Sequence, residues 1–130
     1  MAAEKAFKQA NLEPKDVNVV EVHDATSFCE IYQLEMLGFC EVGSGGKFVE
    51  EGHTKLGGRL PVNLSGGLVS KGHPVGATGL SMIHELAVQI KGEAGNRQSE
   101  RNKIGLAENG GGVIGFEEAA CSVIILEGSR

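Results

Sequence analysis

Residues 63–90 of the chain read NLSGGLVSKGHPVGATGLSMIHELAVQI. The first half is dense in glycine and small polar residues, which predicts a loop. His73 lies where this loop meets a helix, between Gly72, which permits unusual backbone torsions, and Pro74, which fixes φ. The pattern is typical of a loop that holds one imidazole still while leaving backbone room for a substrate.

The second half of the stretch predicts an amphipathic helix from about Ala77 to near Lys91. Its apolar residues recur at intervals of three and four. They are Ala77, Leu80, Ile83, Leu86, Ala87 and Ile90. The start of such a helix offers backbone N–H groups and a positive dipole end, which suit an anion or a developing oxyanion.

Bulk composition describes an ordinary globular chain. A length of 130 residues predicts one domain, 1–130, large enough to bury a core. A net charge of −5 argues against a nucleic-acid partner. The N-terminus has no long apolar run, so we expect no signal peptide, no membrane span and a cytoplasmic location. Three cysteines without a close pair predict reduced packing residues and no metal site.

Upstream of the loop the sequence predicts alternating helices and strands. Ala2–Ala10 consists of good helix formers, and the valine-rich Val17–Val22 predicts a buried strand. Ala25–Leu37 predicts a helix with a broad apolar face, and Gly38 suits its C-cap. Residues 38–60 predict a long glycine-rich connection, which is uncommon in a compact domain unless it is functional or covers a partner.

Downstream of the loop the sequence predicts two strands. Ile104–Ala107 is a short buried strand, residues 108–112 form a turn, and Ala119–Glu127 is a closing strand rich in valine and isoleucine. We expect the two strands to be antiparallel neighbours joined by residues 110–118. The whole order predicts an α/β fold with a mixed sheet packed against helices.

Two further polar residues stand beside predicted element ends. His23 follows a strand and is paired with Asp24, and Glu108 precedes a run of glycines. Each has an ordinary explanation as a packing histidine or a solvated turn carboxylate. Residues at the carboxyl ends of strands nevertheless face the crevice in α/β folds, so these positions are candidates for a site.

The loop closely resembles the active-site loop of the thiolase family, whose pattern is Asn-x-Ser-Gly-Gly followed by Gly-His-Pro-x-Gly-Ala-[Ser/Thr]-Gly. The matching residues are Asn63, Ser65, Gly66, Gly67, Gly72, His73, Pro74, Gly76, Ala77, Thr78 and Gly79. The pair His23-Asp24 and the segment 92–98 resemble the branch that includes sterol-carrier-protein thiolases. Nearly the whole chain therefore resembles the C-terminal half of a thiolase.

The resemblance implies a Claisen-type exchange on acyl-CoA thioesters, with coenzyme A thioester as substrate and no separate cofactor. It implies catalytic roles for His73, which would polarise the nucleophile, for His23, which would help to form an oxyanion hole, and for Glu108 as an acid or base. The implied substrate-binding residues are Asp24, Asn63, Ser65, Gly66, Gly72, Asn109 and Gly110.

The family's nucleophilic cysteine belongs to an N-terminal half that this sequence does not contain. Cys29, Cys40 and Cys121 match no nucleophile motif. We therefore expect a truncated half or a subunit that pairs with an N-terminal thiolase half, and a homo- or hetero-oligomer. By itself the chain should not catalyse the reaction.

Glu108 is the clearest departure from the family, because it stands where other thiolases carry Cys or His. A carboxylate there can serve as a general base, or it can mark a member that has lost the condensing step. The alternative hypotheses are a non-catalytic scaffold subunit, a ketoacyl-synthase relative and a thiolase-like retro-aldolase. The sequence does not determine which acyl chain is accepted or in which direction the reaction runs.

Overall fold

The computed structural model describes residues 1–112 and 119–129. The α-helices there are α1 (Ala2–Ala10), α2 (Cys29–Met36), α3 (Gly45–Glu50), α4 (Gly67–Lys71) and α5 (Thr78–Lys91). The strands are β1 (Val19–Glu21), β2 (Ile104–Gly111) and β3 (Ala120–Glu127), and short 3-10 helices cover Pro14–Asp16 and Gly95–Arg97. In this described part, every helix is too short or too polar to cross a membrane.

The strands form a mixed sheet in the order β1-β2-β3. β1 runs parallel to β2, with Val19 opposite Gly105, and β2 runs antiparallel to β3 from the pair Ile104–Glu127 to the pair Gly111–Ala120. A single parallel bridge joins Val20 to Val62 on the other side of β1. The mixed sheet and the antiparallel pairing of the last two strands confirm the predicted α/β fold class.

Helices cover both faces of the sheet. On one face Met82 and Leu86 of α5 pack against Val19 and Ala107, and Gly105 allows the close approach, since a Cβ there would lie 3.1 Å from Leu86 Cδ2. The larger cluster lies on the other face and comprises Ala3, Phe7, Val17, Val20, Val22, Leu34, Leu37, Phe39, Phe48, Leu60, Val62, Ile104 and Leu106. The sheet is thus held between two apolar layers, which fixes where its strand ends lie.

Several predicted boundaries need correction upstream of α5. α2 begins at Cys29 rather than Ala25, because residues 25–28 form a bend and a turn. The predicted connection 38–60 contains α3, whose Phe48 is buried in the core, so apolar burial outweighs the poor helix propensity of its glycines. The predicted loop before His73 likewise contains the short helix α4.

The prediction of a turn at residues 108–112 was wrong, since β2 continues to Gly111. Gly110 and Gly111 pair with Cys121 and Ala120 of β3. Strand pairing therefore overrides the turn preference of these glycines, and Glu108 and Asn109 lie in the strand itself. Residues 113–118 of the predicted connection lie outside the described residues.

Helix α5 was predicted correctly in extent, but not in the face that it buries. Its buried residues are Thr78, Met82, Glu85, Leu86 and Gln89, whereas Leu80 is 74% exposed. The buried polar pair is satisfied locally: Gln89 Nε2 donates to Glu85 Oε1 at 3.0 Å, and Arg97 Nη2 donates to Glu85 Oε2 at 3.0 Å. The predicted apolar stripe therefore lies partly at the surface.

Candidate functional site

His23 and His73 meet in space although they are fifty positions apart in the sequence. Their ring centroids are 5.0 Å apart and the rings are nearly perpendicular, in an edge-on arrangement. His23 lies two residues beyond the end of β1, and His73 lies in the exposed loop between α4 and α5. The structure thus brings together the two imidazoles to which the resemblance assigns catalytic roles, and those roles stay predictions.

The two histidines line a cleft of about 470 Å³ at the end of the sheet. The opposite wall is built from the ends of β2 and β3. Its lining residues there are Asn109, Gly110, Gly111, Gly112, Ala120, Cys121 and Ser122. The predicted Asn109 and Gly110 thus join the histidines. Gly111 and Gly112 are exposed, so their backbone is open to a ligand in the cleft.

Thr78 sets the orientation and the tautomer of His73. Thr78 Oγ1 donates to the carbonyl oxygen of Pro74 at 3.2 Å and lies 2.7 Å from His73 Nδ1. Because the hydroxyl has a single hydrogen, it accepts from Nδ1–H, and the neutral ring then carries its lone pair on Nε2. Nε2 is consequently the atom that can accept a proton. Thr78 matched the motif, but sequence reasoning gave it no role.

The start of α5 has fewer free backbone N–H donors for an anion than the sequence predicts. The N–H groups of Ala77 and Thr78 both donate to the carbonyl oxygen of Pro74, at 2.8 and 3.0 Å. These two donors are therefore already engaged within the loop. The chemistry of this site rests on its side chains more than on that helix end.

Glu108 lies behind the cleft wall. Its side chain is fully buried, Oε2 accepts the backbone N–H of His23 at 3.1 Å, and Oε1 lies 3.5 Å from the thiol of Cys121. The ordinary explanation of Glu108 as a solvated turn carboxylate is therefore wrong. The carboxylate ties the segment after β1 to β2 and β3, so it helps to place His23.

Cys121 was assigned wrongly as a packing residue. It is exposed, lines the cleft and contacts the carboxylate of Glu108. The reason for the error is the alternation of an edge strand, which turns this side chain towards the cleft. In the described residues, no three His, Cys, Asp or Glu side chains are placed to hold a metal ion.

The side chains of Asp24 and Asn63 accept hydrogen bonds from backbone N–H groups and so hold the loop in place. The Asp24 carboxylate is buried and accepts the N–H of Leu68 at 2.7 Å, which caps the start of α4. It also fills the space beside Gly67, where a Cβ would lie far too close to Asp24 Oδ2. Asn63 accepts the N–H of Val22 at 2.8 Å through Oδ1. Their predicted contacts with substrate stay predictions; the bonds seen here are structural.

Ser65, Gly66 and Gly72 frame α4. Gly66 and Gly72 lie at its two ends with φ of 102° and 90°, which side-chain-bearing residues rarely adopt. Ser65 Oγ donates to Glu21 Oε2 at 2.6 Å, and its N–H donates to Oε1 at 3.1 Å. The geometry gives these predicted substrate-binding residues a role in holding the loop, and substrate contact stays a prediction.

The carboxyl of Glu21 is almost completely buried beneath Ser65. Burial raises its pKa to about 7, against the opposing effect of the hydrogen bonds from Ser65 and of the nearby Lys71 ammonium. The ordinary value is 4.5, so between these two pH values the folded chain holds a proton that the unfolded chain has released.

We expect the free energy of unfolding to fall as pH rises from 5 to 8, by about 3 kcal/mol at most from Glu21. Glu21→Gln keeps the shape and removes the titration, so its stability should lack this decrease. Urea unfolding of both proteins at pH 5 and pH 8 measures the difference. Glu50→Gln, at an exposed carboxylate, is the matched control. An equal change in the free energy of unfolding between pH 5 and pH 8 in the parent chain and in Glu21→Gln would contradict the expectation.

Comparisons with known proteins agree with this architecture. A family described as thiolase C-terminal domain-like matches residues 1–127. An acetyl-CoA acetyltransferase of Methanothermobacter thermautotrophicus is 50% identical over 114 residues, which cover 88% of this chain and 30% of that protein. Human sterol carrier protein 2 is 45% identical over 130 residues, covering 93% of this chain and 24% of that protein.

A solved structure, the Ltp2-ChsH2(DUF35) aldolase, superposes with a TM-score of 0.84 at 25% identity. The match covers 99% of this chain and 31% of that chain. The present chain thus spans about a quarter to a third of the length of these relatives. With its family match over nearly every residue, the chain belongs to the thiolase C-terminal domain-like family.

Proposed function

We propose that the chain is the C-terminal domain or subunit of a thiolase-type acyl-CoA acyltransferase. The observation that carries the proposal is the pair of imidazoles, His23 and His73, with ring centroids 5.0 Å apart on one wall of the cleft. The acetyltransferase relative supports the choice of an acyl-CoA substrate. An N-terminal half or partner subunit supplies the nucleophilic cysteine.

In this proposal His73 moves the proton of the nucleophile. Nε2 takes the thiol proton, the thiolate attacks the thioester carbonyl, and the ring returns the proton to the departing coenzyme A sulfur. The Thr78 hydroxyl holds Nδ1 during both transfers. His23 donates a hydrogen bond to the oxygen that gains negative charge, and such donors contribute roughly a hundredfold or more in rate.

The same proposal assigns the exposed apolar surface to contact with the missing half. Val75, Leu80 and Ile124 are 81%, 74% and 44% exposed and line one shallow depression beside the cleft. Exposed apolar patches of this kind mark contact surfaces. An N-terminal half or a second subunit that covers them would place its cysteine beside the two histidines.

A second candidate is retro-aldol cleavage of a hydroxyacyl thioester, favoured by the structural likeness to an aldolase. This reaction needs a base for the hydroxyl proton and a donor for the enolate oxygen that forms as the carbon–carbon bond breaks. His73 and His23 suit these two roles without a nucleophilic cysteine. Coenzyme A consumption separates the reactions, because thiolysis uses one free thiol per cleavage and retro-aldol cleavage uses none.

We expect this chain alone to show no thiolysis of acetoacetyl-CoA, because none of its cysteines lies in a nucleophile motif. Joining it to the N-terminal part of the archaeal relative, in place of that protein's own C-terminal region, should restore thiolysis. This fusion is called the completed enzyme below. The measurement is loss of acetoacetyl-CoA with and without free coenzyme A.

The relative with its own C-terminal region is the positive control, and Cys121→Ser in the isolated chain is the critical variant. Turnover by the isolated chain that disappears in Cys121→Ser would mean that the chain carries its own nucleophile. Cleavage of a hydroxyacyl thioester by the completed enzyme without coenzyme A would favour the aldolase.

A further inference from the structure

The loop that carries His73 has little apolar burial to hold it. Residues 71–77 are all exposed, and the loop crosses from the end of α4 to the start of α5. Few buried apolar contacts and an exposed backbone are typical of segments that open readily. Catalysis by an imidazole needs the ring to stay near one position, so something else must restrain this loop.

Lys71 makes contacts that cross the loop. Its ammonium donates to Ser65 Oγ at 2.7 Å and to Ser81 Oγ at 2.9 Å. Ser65 precedes α4, and Ser81 lies in the first turn of α5. A single cation therefore joins the segments before and after His73, which is two residues from Lys71 in the sequence.

The buried carboxylate of Glu21 anchors this cation on the sheet. Glu21 Oε2 accepts from Ser65 Oγ at 2.6 Å and lies 3.9 Å from the Lys71 ammonium. The Glu21 side chain is 1% exposed, so its attraction for Lys71 is weakly screened. Beyond it lie Glu85 of α5 and Arg97, which form their own ion pair at 3.0 Å.

We propose that Lys71, held by Ser65, Ser81 and the buried Glu21, is a positioning residue that keeps the His73 loop in its working conformation. The inference rests on the proposed function for the role of His73, but the restraint itself is a property of this chain. Lys71 is not among the residues that line the cleft, so we assign it an indirect role through His73 and none at the reacting atoms.

The restraint should depend on pH through Glu21. The charged groups that face this carboxyl are Lys71 at the end of α4, Glu85 on α5 and Arg97. Burial raises the pKa of Glu21 to about 7, and the Glu85 charge acts in the same direction. Glu21 consequently gains its negative charge as pH rises through neutrality, and its attraction for Lys71 strengthens.

The test is amide hydrogen exchange of this chain and of Lys71→Met. The informative amides are those of Gly72, Ala77 and Thr78, which donate to loop and helix carbonyls. Hydrogen bonds to a charged group stabilise enough for their loss to raise local opening about tenfold or more. We expect that increase at these three amides, with the amide of Leu106 in β2 unchanged.

Lys5→Met, at an exposed lysine of α1, is the matched control. Ser81→Ala is a milder variant that removes only the hydrogen bond between Lys71 and Ser81. Lys71→Arg keeps the positive charge and should restore part of the protection of the loop amides against exchange. Protection of the loop should rise from pH 6 to pH 8 in the parent chain and stay level in Glu21→Gln. In the completed enzyme Lys71→Met should lower kcat about tenfold and leave KM unchanged.

Loop exchange in Lys71→Met equal to that in Lys5→Met would overturn the proposal. An equal acceleration at Leu106 would also overturn it, since the effect would then be a general loss of stability. Exchange that accelerates only in the loop supports the restraint by Lys71, even where the completed enzyme shows no thiolysis. In that case the proposed function fails and the restraint stands.

Discussion

We expect replacement of His73 by asparagine to lower kcat for thiolysis in the completed enzyme by roughly a thousandfold. General acid–base catalysis contributes roughly 10²- to 10⁴-fold, and asparagine can donate a hydrogen bond but cannot accept and return a proton at neutral pH. The thiol of the partner half would then react only as its small thiolate fraction allows. Steady-state thiolysis of acetoacetyl-CoA, followed with burst kinetics of acylation, measures the loss.

A histidine on the helix that follows the loop provides the control for His73. His84→Asn changes an exposed residue of α5 that does not line the cleft, and it should leave kcat unaltered. Thr78→Val removes the hydroxyl that holds His73 Nδ1 and should lower kcat by a smaller factor, about tenfold, through loss of one hydrogen bond. Equal losses in His73→Asn and His84→Asn would show that the effect is not local to the cleft.

The sequence predicts the extent of α5 and the antiparallel β2–β3 pair because those signals are long and periodic. It does not predict α3, because the glycines of this segment disfavour a helix. The burial of Phe48 in the core stabilises the helix in the folded chain. The sequence also stops β2 too early, since Gly110 and Gly111 are strand residues only by virtue of their partners in β3. Both errors arise where tertiary contacts outweigh local propensity.

In the candidate site too, residues within a motif can be predicted from the sequence, and residues placed by tertiary contacts cannot. His23 and His73 could be chosen from their motifs. His23 lies just beyond the carboxyl end of β1, and the loop between α4 and α5 brings His73 against it. Cys121 and Lys71 could not be chosen in this way. The first enters the cleft through its pairing register in β3, and the second acts through side-chain contacts with Ser65 and Ser81. Neither register nor side-chain reach is encoded in a short motif.

Helix α5 shows why the buried face of an element is harder to predict than its existence. Its sequence is apolar on more than one side, and periodicity identifies a stripe without saying what covers it. The structure directs Glu85 and Gln89 inward because Arg97 and the segment around it satisfy them. Leu80 is left at the surface, where the proposed partner half would bury it.

A substrate proton should reach Glu108 through the thiol of Cys121. In the proposed condensation a base removes the α-proton of an acetyl thioester, and the Glu108 carboxylate lies behind the cleft wall, in contact with the Cys121 thiol that lines the cleft. A relay is therefore expected: Cys121 receives the substrate proton as its own proton passes to Glu108. Glu108→Gln removes the acceptor and should slow α-proton exchange of acetyl-CoA by roughly a hundredfold.

Cys121→Ser separates the relay from a purely structural role of Glu108. If the proton passes through the thiol, Cys121→Ser should slow exchange by about as much as Glu108→Gln, while acylation of the partner cysteine survives in both. If Glu108 serves only to hold the backbone of His23, Cys121→Ser should leave exchange unchanged and Glu108→Gln should impair acylation and exchange together. Cys29→Ser, at a thiol that does not line the cleft, is the matched control. Deuterium loss from labelled acetyl-CoA and single-turnover acylation, measured on the same preparations of the completed enzyme, give both rates.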